Sequence, residues 1–223
     1  MELYNFKTPD DLFRGTDFWM LNGELSEENI VEQLTQMKNK GVYSFIARTY
    51  LGLKSDYPGP NFKEKTRLII ETSKKLGLKV FLQAGYMPEA VLGLSKDHAL
   101  RYIIPVKEGE ENGRPIFCNY NGYSFVEHNS ETFLDMFDPD SMEHYVKMSY
   151  ENMWKEFSHE YGKTVISIWV DEPSYNSEYI PWTPKLEKLF LERWGYSIAD
   201  KIWMLYFDSP YSNSLRYHYR VIM

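Results

Sequence analysis

The sequence predicts an α/β fold built on parallel strands. Short apolar runs alternate with amphipathic helical segments along the chain. The clearest run, Val165-Ile166-Ser167-Ile168-Trp169-Val170, is rich in β-branched residues, as strands buried on both faces of a parallel sheet are. No glycine-rich phosphate loop follows the first run, which disfavours a nucleotide-binding, doubly wound sheet. Periodicity alone leaves barrel and doubly wound sheet both open.

Phe18-Trp19-Met20-Leu21 reads as the first strand. Ser26 is a helix cap with Glu27 and Glu28 in the first turn, where the helix dipole favours acids. Ile30, Val31, Leu34 and Met37 then recur at helical spacing, and Gly41 supplies the stop. Val42 to Ala47 is the second strand. Asn61 and Glu64 resemble a capping box, followed by a helical face of Leu68, Ile69, Thr72 and Leu76 that ends at Gly77. Leu78 to Leu82 is the third strand.

A long interruption follows, from about residue 85 to 137, rich in Tyr, Asn and Gly. Its segments Arg101 to Val106 and Pro115 to Val126 are expected to form a small β-hairpin, with helix or coil left open. Asp138 then caps a helix with Pro139 in its first position. Met142, Tyr145, Val146, Ser149, Met153 and Phe157 follow one face until Gly162, and Val165 opens the fourth strand. Pro181-Trp182-Thr183-Pro184 is read as the start of a further helix that stops at Gly195, and Ser197 with Asp200 as a second capping box.

The chain has 223 residues, ample for one domain and short for a complete eightfold barrel with insertions. A formal net charge of −7 argues against nucleic acid or an anionic membrane as partner. No stretch is long and apolar enough to span a bilayer, and Met1 to Phe6 shows no secretory pattern. A single cysteine, Cys118, excludes an internal disulfide and a Cys-based zinc site, which makes the cytoplasm the default location. The five histidines show no metal-ligand spacing, so neither a metal nor a cofactor is expected. Aromatics reach 17%, an excess that suits a carbohydrate cleft and equally suits a Tyr-rich core and surface.

In parallel α/β folds, functional groups gather just beyond the C-terminal strand ends. Those positions hold Asn22 and Glu24, then Arg48 and Tyr50, then Gln83 and Tyr86, then Asp171 and Glu172. A sugar needs directional hydrogen bonds and an aromatic platform, and its hydrolysis needs carboxylates. Each position separately also reads as a loop residue or strand cap. Two adjacent acids closing an apolar strand are the sharpest feature. Because neighbouring strand residues point to opposite sides, Glu172 is assigned to the cleft, with a raised pKa as general acid, and Asp171 to a supporting hydrogen bond. A solvated strand end is the competing reading. Trp182 either forms a sugar-stacking wall or packs the helix start.

The stretch from Val165 to Tyr175, ending Trp-Val-Asp-Glu-Pro-Ser-Tyr, then Pro181 to Pro184 and Arg193-Trp194-Gly195-Tyr196, resembles the fourth-strand region of the α-L-rhamnosidase-like glycoside hydrolases of family 106 and their relatives. Phe18 to Leu25, with the helix and Gly41-Val42 after it, is similar to their first strand. The likeness runs in patches from about Phe18 to Tyr219. It implies a TIM-type (β/α) barrel spanning 1–223 as one partial domain, truncated after about the fourth β/α unit and carrying a small β insertion after strand 3. It also implies glycosidic-bond hydrolysis with the catalytic carboxylate at Glu172. The family tends to carry acids after the third strand, before a Trp-Pro-Ser-Gly turn; here Gln83 to Ala90 holds none before Pro88. Hydrolysis needs a second carboxylate, usually from a late strand, and Glu24 is the local candidate. A non-catalytic carbohydrate-binding or structural remnant is the alternative. Four barrel units would leave open edges, so a homo-oligomer is expected through them.

Overall fold

The computed structural model describes residues 10–55, 57–83, 97–170 and 179–223. After a short 3-10 turn, the elements run β1 (Thr16–Gly23), α1 (Glu27–Asn39), β2 (Ser44–Leu53), α2 (Pro60–Leu76) and β3 (Lys79–Gln83). Then come β4 (Ala99–Lys107), β5 (Ile116–Tyr120), β6 (Tyr123–Leu134), α3 (Pro139–Val146) and, past a π-helical turn, α4 (Asn152–Phe157). The last elements are β7 (Val165–Trp169), β8 (Ile180–Trp182), α5 (Leu186–Trp194), α6 (Trp203–Tyr206) and α7 (Ser212–Ile222). The chain divides into two compact units, residues 1–92 with 144–172, and residues 93–143 with 173–223.

In the first unit four parallel strands stand in the order β1-β2-β3-β7, neighbours in sequence order once the insertion is passed over. Alternation, with a register shift between Val80 and Phe81 where β7 pairs with β3, places Trp19, Leu21, Phe45, Ala47, Val80, Leu82 and Val165 on one face, in a single buried cluster with Ile30 and Leu34 of α1, Ile69 and Ile70 of α2, and Met153 and Phe157 of α4. The Ser26 hydroxyl accepts from the Asn29 N–H at 3.2 Å, as expected of a cap. Polar contacts link α2 to the α4 region: Lys63 to Asn152 at 2.5 Å, Arg67 to Glu156, and Lys74 to Glu160 at 2.7 Å. Glu160 is buried apart from this contact, and the hydrogen bond from Lys74 holds its carboxyl below the usual range.

The second unit pairs its strands antiparallel in the order β5-β6-β4-β8. The expected β insertion is therefore present, but the segment Pro115 to Val126, expected as one strand, turns at Asn121-Gly122 into the β5-β6 hairpin, and β4 pairs with β6 in a sheet that shares its unit with residues 173–223. Ile103, Phe125 and Trp182 of the sheet pack on Leu186, Phe190, Ile198, Ile202, Leu205 and Leu215. Two tyrosines lock the short β8 in place. The Tyr206 hydroxyl donates to the Ile103 carbonyl and accepts from the Ile180 N–H at 3.2 Å, while Tyr219 donates to the Pro181 carbonyl at 2.6 Å. Burial pushes the Tyr206 phenol up to about 12 and that of Tyr219 higher still.

Several local expectations are corrected. The helix at Pro60 starts one residue before Asn61, with Gly59 as its cap and no side-chain capping bond, because proline is preorganised for the first helical position. Pro181 and Trp182 form β8 rather than a helix start. Ser197 caps Ala199 at 3.2 Å, Asp200 pairs with Lys201, and Glu187 accepts from the N–H groups of Ile198 and Ala199, so no second capping box forms. The fourth parallel strand is not buried throughout: Val165 is buried while Ser167 is exposed, and among the described strands β7 pairs with β3. Asp138 does cap α3, accepting from the Ser141 N–H at 3.1 Å.

Two stability outcomes follow from this packing. Phe45 is 1% exposed against Trp19, with ring centroids 5.4 Å apart, so Phe45→Ala should cost about 3–5 kcal/mol in urea unfolding. A loss below about 1 kcal/mol would contradict a close-packed Phe45. Asp135 is 2% exposed, and burial pushes its pKa up against the hydrogen bonds from Thr183 and the Phe137 N–H. A carboxyl whose folded pKa is raised burdens the fold only once the unfolded chain would ionise it. The burden is absent below the unfolded pKa and complete above the folded one. Asp135→Asn should thus gain stability relative to the parent as pH rises from about 4 upward. A stability difference independent of pH would refute that account.

Candidate functional site

The strand alternation that buries Trp19 and Leu21 sends Phe18, Met20 and Asn22 to the opposite, helix-free face of the sheet. On β2, Ile46, Arg48 and Tyr50 belong to the same face, since Phe18 stands in register with Ile46 and Met20 with Arg48. On β3 and β7 the matching residues are Phe81 beside Ser167 and Gln83 beside Trp169. Near the last residues of β3 and β7, and within β1 and β2, these side chains converge. The Arg48 guanidinium carbon lies 5.0 Å from the Trp169 ring centroid, 5.3 Å from that of Phe18 and 5.6 Å from that of Tyr50.

Phe18 and Trp169 also meet each other edge-on, with centroids 5.0 Å apart and an interplanar angle of 85°. Their strands, β1 and β7, are the two outer strands of the sheet. In a flat sheet three strand spacings of about 4.8 Å would hold them some 14 Å apart. The contact therefore requires the sheet to curl towards its helix-free face, and the face lined by Arg48 and the rings is concave.

Each ring around the guanidinium contributes about 0.5–2 kcal/mol, more as water is excluded. Phe18 remains 46% exposed and Tyr50 37%, so aromatic surface is left for a ligand to cover. Gln83 is buried and its side-chain carbonyl accepts from the Thr49 hydroxyl at 3.2 Å. Asn22 is exposed on the same strand as Phe18. The cluster can stack the apolar face of a ring and offer amide and guanidinium hydrogen bonds.

The other expected site residues fall elsewhere. Glu24 has a side chain 78% exposed and bonded to Lys54 at 3.2 Å, a surface ion pair. Trp182 is 5% exposed in the core of the second unit, with its ring 4.7 Å from that of Phe117, so its packing role holds and it has no free face for a sugar. Asp171, Glu172 and Tyr86 lie outside the described residues. Among the described residues, no group of His, Cys, Asp and Glu is arranged to hold a metal ion, and no helix is long and apolar enough to cross a membrane. The sequence reading missed Phe18 and Trp169, which it treated as strand core. For Phe18 the signal was available, since it alternates with Trp19 and Leu21, whereas Trp169 shares the parity of Val165 and reaches the other face through the register shift of β7 on β3.

Against known proteins, no family model matches the chain and no curated protein does. Among solved structures it is similar to a rhamnosidase from Novosphingobium sp. PP1Y, at 19% identity and a TM-score of 0.33. The match spans 47% of this chain and 11% of that chain.

Proposed function

We propose that the chain is a glycoside hydrolase-like catalytic-domain segment that binds carbohydrate on the concave face of its parallel sheet, with an α-L-rhamnosidase-like reaction and Glu172 as the catalytic carboxylate. The observation that supports this reading is the cluster of Phe18, Arg48, Tyr50 and Trp169, which stands at the C-terminal end of β7 and within β1 and β2, on the side of the sheet towards which parallel α/β folds put their sites. Rings and planar hydrogen-bonding groups on one concave surface suit a sugar, whose two faces are apolar and whose rim is hydroxylated.

Glycoside hydrolysis needs two carboxyl groups, about 5–5.5 Å apart for retention or 6.5–9.5 Å for inversion. Glu24, bonded to Lys54 in solvent, has the surroundings of a surface residue rather than of the second member of such a pair. That observation favours a second reading, a carbohydrate-binding domain without turnover of its own.

Two outcomes test these readings. Titration calorimetry with monosaccharides should give saturable binding that weakens at least about tenfold in Trp169→Ala, which removes one wall of the cluster. Absence of any sugar binding would sink both readings. On a panel of nitrophenyl glycosides, turnover abolished by Glu172→Gln would establish the hydrolase, while equal background from parent and variant would leave the binding domain. Glu24→Gln should change neither binding nor any turnover by more than about twofold, since an exposed ion pair is worth about 0–1 kcal/mol. A large loss would restore Glu24 as the second carboxylate.

A further inference from the structure

A second concavity lies within the other unit, between the 3-10 turn Ala199–Lys201 with α6 on one side and α7 on the other. Its volume is about 260 Å³, and Tyr196, Lys201, Met204, Tyr211, Leu215 and His218 line it together with Ser214. The polar ends of this wall are spent on one another. The Tyr196 hydroxyl and His218 Nδ1 are hydrogen bonded at 2.9 Å, and Trp194 stacks on His218 with centroids 3.8 Å apart and planes 6° from parallel. The Lys201 ammonium donates to both Asp200 oxygens at 2.7 and 2.8 Å and stands 5.8 Å from the centre of the Tyr196 ring.

What remains for an occupant is ring surface, a thioether, a leucine side chain and, at the margin, the single Ser214 hydroxyl. A sugar or nucleotide would need a fan of unspent hydrogen-bonding groups, which this wall does not offer. A flat aromatic ring needs none. It gains offset stacking against Tyr196 and Tyr211 and a sulfur contact with Met204. The size agrees: an apolar cavity of about 150 Å³ holds benzene, while drug-sized ligands take pockets of about 300–1,000 Å³. A volume of about 260 Å³ therefore suits one ring with a small substituent. At the margin, Tyr211 is 71% exposed and the Ser214 hydroxyl is available to the substituent.

We propose that this cavity is a binding site for a single small aromatic ring of the phenol class. It is independent of the carbohydrate reading, because no residue of the Arg48 cluster takes part. The test is saturation-transfer NMR on the full chain, titrating phenol and, separately, cyclohexanol, which matches its size without a π face. Phenol should bind saturably in the millimolar range and at least about threefold more tightly than cyclohexanol. Ser214→Trp places a large ring one helical turn from Tyr211 and should fill the space, and Tyr211→Ala removes a stacking wall. Both positions are exposed, so circular dichroism should be unchanged while phenol affinity falls at least about fivefold in each. Absence of saturable phenol binding, equal affinity for cyclohexanol, or parental affinity in both variants would overturn the proposal. Trp169→Ala should leave phenol binding intact, and a loss there would place the ring in the Arg48 cluster and overturn it as well.

Discussion

In β1 and β2 alternate residues divide the sheet, so that placing Trp19, Leu21, Phe45 and Ala47 beneath α1 and α2 forces Phe18, Met20, Arg48 and Tyr50 out on the other side. The burial on one face is thus the constraint that creates the concave surface on the other. Register cannot slip by one residue to relieve it, because that would expose the whole helix-facing set at once. The parallel pairings then carry the same division to β3 and β7, where Val80, Leu82 and Val165 sit inside and Trp169 comes round to meet Phe18. A full Phe side chain in such a core stabilises by about 1.5–3 kcal/mol through area alone, so the geometry of the ring cluster is underwritten by residues that never touch it.

The second unit solves a different problem with a different residue type. β8 has three residues, too few to hold an edge by ladder bonds alone. Phenol hydroxyls from α6 and α7 reach its backbone through Tyr206 and Tyr219, while the rings of Phe125 and Tyr206 pack at 5.5 Å. Tyrosine suits this because it buries a large apolar body and still delivers one polar atom to a carbonyl. Much of the aromatic excess is spent in this way. Phe117 on Trp182, Tyr120 stacked on Trp203 at 3.8 Å and Trp194 on His218 are packing contacts. The composition that first suggested a sugar cleft is thus shared between core and concave surface, and only the positions of the rings distinguish the two uses.

The four parallel strands and the order of their helices were legible in the sequence because each rests on local periodicity: the Ser26 cap, the Gly77 stop in the left-handed region, the Asp138-Pro139 start. The insertion was legible as β structure for the same reason, though the turn that divides Pro115 to Val126 into β5 and β6 was not. What was not legible depends on partners distant in sequence. Trp182 reads as a helix start beside Pro184 until Arg101, some eighty residues earlier, pairs with it across β8 and β4. The strand at Val165 reads as buried on both faces because its composition is apolar, yet composition does not reveal that Ser167 is exposed and that, among the described strands, β3 is its ladder partner. The π-helical turn at Lys147–Glu151 slips the helical face that begins at Met142, leaving Val146 39% exposed while Met153 and Phe157 stay buried. At the cluster, Arg48 and Tyr50 were singled out as residues after a strand ending at Ala47, whereas β2 runs on to Leu53 and carries both, and Phe18 and Trp169 needed the curl of the sheet to become neighbours.

The charge at the centre of the cluster restricts what chemistry can stand beside it. The Arg48 guanidinium is half-buried beside three rings, and a charge partly withdrawn from water acts more strongly on its neighbours than one in open solvent. A carboxylate within about 4–6 Å of it would be held ionised, with its pKa lowered by about 1–3 units. Such a group suits a nucleophile or a base. A general acid needs the opposite, an apolar or acid-rich setting that keeps its proton near neutral pH. If a pair of carboxyls works on this face, the member nearer Arg48 therefore takes the ionised role and the proton donor must stand further from it. The division of labour between the two acids follows from where one cation sits, before either acid is placed.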